Sequence, residues 1–177
     1  MAFVVQDDTG ATPCANAYID EPTFIGYHAD RGNSIIDPTT GSQYTDTKIQ
    51  WAIVKATDFV DRRFQYVGIV PTRTQTTNWP RIGALDISRL IVFGVPQEVK
   101  FATAEYALRA LVASLAPDPT YDATGAQVQS SRKKVGPIEK DISYVAGAGF
   151  AMPRYPLADS ILSSAGLVLR GTALIRA

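Results

Sequence analysis

Few residues of this chain are of the types that do covalent chemistry. His28 is its one histidine, with Asp30 two positions on, and Cys14 is its one cysteine. A single imidazole cannot supply both members of an acid–base pair, and no serine sits in a Gly-x-Ser-x-Gly turn. His28 shares a helical face with Phe24, so it reads as a packed, hydrogen-bonded ring. Gly147-Ala148-Gly149 begins like a dinucleotide-binding turn, but Met152 stands where the third glycine belongs and Pro153 follows, which leaves no helix N-terminus for a pyrophosphate. Gly-Lys-Ser/Thr does not occur, and Asp7, Asp8, Asp20 and Glu21 lack calcium-loop spacing. Cys14 and His28 are too few to hold a structural zinc. The expectation is a protein without catalysis, metal or cofactor.

Binding chemistry has two candidate sources. One is the cation triplet Arg132-Lys133-Lys134. The other is the stretch holding Arg73, Trp79, Arg81 and Arg89, where an aromatic lies among cations, as platforms for stacked bases require. The triplet also reads as a solvated approach to a strand, and Trp79, between Asn78 and Pro80, as a plug fixing its loop to the body. Seventeen Lys and Arg balance seventeen Asp and Glu, so no whole-molecule field draws in DNA, and any such binding is local. The charge is uneven along the chain: residues 1–60 carry eight acids and three bases, residues 128–177 three acids and seven bases. Oppositely charged ends are one route to head-to-tail contact between copies, and ordinary solvated charge is the favoured reading.

Such residues need elements to hold them. At 177 residues the chain fits one domain plus an arm. One cysteine excludes an internal disulfide framework and suits a reducing compartment. No signal peptide and no membrane span is expected, since no run of about 18 apolar residues occurs. Asp20-Glu21-Pro22 signals a helix start and Gly32 its end. From a cap at Thr45 or Asp46, the apolar positions Ile49, Ala52, Ile53, Ala56, Phe59, Val60, Phe64 and Val67 recur every three or four residues, predicting about five turns of amphipathic helix ending near Gly68. Residues 69–94 read as a long interaction loop anchored by Trp79, Ile82, Leu85 and Ile87. Pro96 opens an Ala-rich central helix in which Lys100, Glu105 and Arg109 face water. Residues 128–145 read as a hairpin cornered at Gly136-Pro137, with Ile138, Ile142 and Tyr144 packed and Glu139 and Asp141 outward. Residues 157–165 form a short helix within a tail, 146–177, outside the core.

Six ordered stretches then carry a resemblance: ANAYI, ADRGN, WAIVKATDFVD, NWPRIGALD, VPQEVKFATAEYALRAL and KKVGPIEKDISY, spanning residues 15–144. Together they resemble the tailed-phage head-tail connector, or adaptor, family often labelled DnaT-like. EPTFIGYH departs from the Ala-rich first helix usual there, and residues 146–177 match no motif. The resemblance implies a mainly α fold, a small bundle of three to four helices with a β-hairpin and extended N- and C-terminal segments. Residues 1–145 then form the adaptor domain and 146–177 a C-terminal arm.

It also implies a non-enzymatic virion protein of the neck, assembled in the host cytoplasm, with no cofactor and no membrane partner. Its partners are the portal ring, neighbouring copies of itself and a tail or stopper protein, while packaged DNA passes without sequence-specific binding. Candidate portal contacts are Phe150, Met152, Tyr155, Ile161, Leu162, Leu167, Val168, Leu169 and Arg170 of the arm, where Ile161, Leu162, Val168 and Leu169 have no obvious partner in the bundle. Candidate subunit contacts are Trp79, Arg81, Ile138, Lys140 and Ile142, because exposed strand edges invite pairing. The alternative is single-strand DNA binding, as the label says. Charge neutrality favours the connector reading.

Overall fold

A computed structural model describes residues 2–118 and 153–169 in full, and residues 128–134 and 139–144 as backbone. Among the described residues it is mainly helical, with four helices: α1 (Glu21–Ala29), α2 (Asp46–Arg63), α3 (Gln97–Val112) and α4 (Pro156–Ser164). The chain divides into two units, one taking Met1–Leu115 and Arg154–Ile175, the other Ala116–Pro153 and Arg176–Ala177.

In the first unit α3 is the central element, packed against α1, α2 and α4. Its high alanine content explains this: Ala102, Ala104 and Ala107 are buried and let neighbouring helices approach closely, while Val99 and Tyr106 fill the remaining space. The Asp20 carboxylate accepts the Thr23 N–H at 2.9 Å and so starts α1. That helix stops at Ala29, ahead of Gly32, and buries Phe24, Tyr27 and His28.

Thr45 caps α2, and its apolar stripe is buried as the periodicity predicts. The helix ends at Arg63 rather than near Gly68. Residues 65–67 are instead drawn into pairing with the chain's closing segment: the Val67 N–H donates to Leu167 O at 3.0 Å and the Leu169 N–H to Gln65 O at 2.8 Å. Two long-range bonds outweigh one further turn of helix, a case of tertiary context overriding periodicity.

The reading of 146–177 as a tail outside the core is corrected for its described part. Ala158, Leu162 and Leu167 are buried, and Val168 bridges Tyr66. Arg63 meets Asp159 at 2.7 Å, and the Tyr106 hydroxyl bonds the same carboxylate. Glu105 is likewise buried rather than facing water, since α3 is surrounded. Its carboxylate accepts from Tyr27 Oη at 3.0 Å and pairs with Arg109 at 2.8 Å, supplying the partners a buried charge needs.

In the second unit, β1 (Val128–Lys134) and β2 (Glu139–Tyr144) run antiparallel, with Arg132 opposite Asp141 and Lys134 opposite Glu139 in register. The expected hairpin corner at Gly136-Pro137 and the packing of Ile138, Ile142 and Tyr144 lie outside the described residues, as does Gly147-Ala148-Gly149.

Candidate nucleic-acid interface

The long loop is held by a buried polar node at the end of α2. The Asp61 carboxylate accepts from Tyr18 Oη at 2.6 Å and from the Asn78 N–H at 2.9 Å, while the Trp79 N–H donates to the Tyr18 oxygen at 3.1 Å. Burial pushes Asp61 up to about 6. Trp79 follows a node whose bonds are all inward, and its ring is fully buried, edge-on to Tyr66 at 5.6 Å. It is the plug and has no surface left for stacking. The Arg81 guanidinium donates to the carbonyls of Val67 and Gly68, each at 2.8 Å, and of Asn78 at 3.2 Å. The proposed Arg73, Trp79, Arg81 and Arg89 platform therefore loses its aromatic and one cation to the fold.

His28 is a structural ring, as its neighbours imply. Its Nε2 bonds Ala104 O at 3.0 Å, tying α1 to α3, and its Nδ1 meets Asn33 Nδ2 at 3.1 Å in the loop that follows α1. Burial lowers its pKa. Among the described residues no group of three or more His, Cys, Asp or Glu could hold a metal ion, and no helix there is long and apolar enough to cross a membrane.

The candidate portal contacts are dispersed. Leu162 and Leu167 are core residues, and Ile161 and Val168 are half-buried. Tyr155 turns its hydroxyl inward to Leu115 O at 3.1 Å. Leu169 is exposed. Phe150, Met152 and Arg170 lie outside the described residues, as does Ile138; Lys140 and Ile142 are described only as β2 backbone, opposite Lys133 and Ser131.

Two surfaces stand out, the first within the expected interaction loop and the second one that the sequence reading passed over. One is apolar: Ile82, Leu85, Ile87, Leu90, Ile91 and Phe93 are all exposed, Phe93 at 84%. Ile82, Leu85 and Ile87 were expected as anchors, but Trp79 and Arg81 already fix the loop. The other lies on α2. Successive residues turn by about 100°, so Lys48, Trp51, Lys55, Asp58 and Arg62 fall within about a quarter-turn. Trp51 is 61% exposed and lines a cleft of about 360 Å³ with Tyr44, Lys48, Lys55, Leu111 and Val112. Lys48 meets Asp37 at 2.9 Å and stands 5.7 Å from the Tyr44 ring. That ion pair lowers Asp37 and raises Lys48. An aromatic off the apolar stripe, with cations three positions before and four after, was the available sequence signal.

The chain belongs to the family described as "Putative DnaT-like ssDNA binding protein", which matches residues 1–176. No curated protein and no solved structure matches it.

Proposed function

We propose that the protein is a non-enzymatic binding protein whose ligand is single-stranded DNA. The observation that carries this reading is the family match along residues 1–176. Charge neutrality, which favoured the connector on sequence grounds, is compatible with it because a binding surface needs local cations rather than a molecular excess. The test is fluorescence anisotropy of a labelled oligothymidine of about 12 nucleotides, titrated at several salt concentrations. The expected outcome is an affinity that falls as salt rises, since each neutralised phosphate contributes about −0.7 to the logarithmic salt slope. No binding at low salt overturns it.

A second reading, a head-to-tail connector ring joining a portal to a tail or stopper, is favoured by the exposed row Ile82–Phe93. Large exposed apolar side chains gathered in one segment of a chain are a signature of protein interfaces. Native mass spectrometry of the protein, alone and with a portal ring, checks it: stoichiometric decoration supports the connector, and a monomer that ignores the portal removes it.

A further inference from the structure

We infer that the α2–α3 cleft is the subsite in which one base of a single strand stacks on Trp51, with Lys48 and Lys55 facing the flanking phosphates. This rests on the single-strand DNA reading and gives it an address. Three observations converge there. Trp51 is 61% exposed, although a residue of its size on an amphipathic helix ordinarily belongs on the buried face. It lines a cleft whose volume, about 360 Å³, accommodates a planar ring of nucleobase size. Its neighbours at the lysine positions supply charge of the sign that phosphates require, and Leu111 and Val112 supply an apolar wall.

The chemistry is sequence-tolerant, because every base offers a π face. Asp37 tempers the site without cancelling it. It occupies one side of Lys48, so Lys55 is the cation more available to a phosphate. Asp58 is engaged by Arg62, at 3.8 Å, farther along the same face.

The two tryptophans make the site directly observable. Trp79 is fully buried while Trp51 is open, so quenching of the protein's fluorescence by an added oligothymidine reports Trp51. The experiment pairs that quench with anisotropy for wild type, Trp51→Ala, Trp51→Phe and Lys55→Gln. Circular dichroism confirms that the exposed-site variants stay folded.

The expected results are a quench in the wild type, a loss of affinity of roughly 5- to 100-fold in Trp51→Ala, and substantial recovery in Trp51→Phe, which keeps a stacking face. Lys55→Gln flattens the salt slope by about 0.7. Oligonucleotide binding that Trp51→Ala leaves intact overturns the site while the DNA reading stands. Wild-type protein that binds no oligonucleotide by anisotropy at low salt overturns both. Binding lost equally in Trp51→Ala and Trp51→Phe, with both folded, overturns stacking as the role of residue 51.

Discussion

Asp61 carries the most perturbed described carboxyl, and the sign of its effect on stability is opposite to that of an ordinary salt-bridged acid. Its folded pKa of about 6 lies above the usual 3.8 because burial disfavours the charge more than Tyr18 and Asn78 favour it. The folded state therefore binds the proton more tightly than the unfolded chain, so the stabilisation is complete below about pH 4 and is lost as pH rises through 6. A displacement of about two units corresponds to about 3 kcal/mol. His28 opposes this in the same window. Its folded pKa is lowered from 6.5, so the stability it contributes is present above that value and declines as pH falls below it. Comparing wild type with Asp61→Asn separates the two. The wild type should gain melting temperature relative to the variant as pH drops from 7 to 5, and parallel melting curves across that range would refute the assignment. The sequence marked neither pKa, because both depend on what the long loop and α3 bury. It did place His28 on the right face of α1, since Phe24 shares that face.

Among the elements, the helices were legible and their mutual packing was not. The three-to-four-residue recurrence in α2 predicted its buried stripe, and Asp20, Thr45 and Pro96 marked helix starts, because caps and periodicity are local. The end of α2 and the placement of α4 were missed because both depend on bonds between residues about a hundred positions apart. Gly68 shows how tight the resulting junction is. It has φ of +76°, and a Cβ there would come within 2.8 Å of Ile82 O and Ala84 N, both backbone atoms that cannot swing aside. Gly68→Ala should therefore destabilise the protein by about 1–3 kcal/mol, read as a fall in the urea midpoint with an unchanged slope. A variant as stable as wild type would show that the 64–69 and 82–84 segments do not pack this closely in solution.

At the scale of the whole molecule, zero formal net charge coexists with a row of exposed apolar side chains. Little general repulsion then keeps copies apart where Leu90 and Phe93 meet solvent. In native mass spectrometry, Leu90→Lys with Phe93→Lys should shift any oligomer towards monomer. Because both side chains are exposed, the pair should alter unfolding free energy by less than about 0.5 kcal/mol per site. Oligomers of unchanged mass would place the contact elsewhere. The candidate site was the least legible level. Sequence reasoning weighed a stacking role for Trp79 against that of a plug, and the plug is what its full burial shows; it did not single out Trp51, which the fold leaves at the surface while Arg81 is engaged by backbone carbonyls.

The pairing of Tyr66 with Val168, together with burial of Leu162 and Leu167, also bears on how the chain is made. A ribosome delivers α2 and α3 long before it delivers the segment that covers them. The nascent body must wait, with part of its apolar interior uncovered, until residues 158–168 emerge. Such surfaces are where aggregation competes with folding during synthesis. A chain stopped before Ala158 would therefore yield an unfinished body prone to association, because Leu162 and Leu167 would be missing from the core.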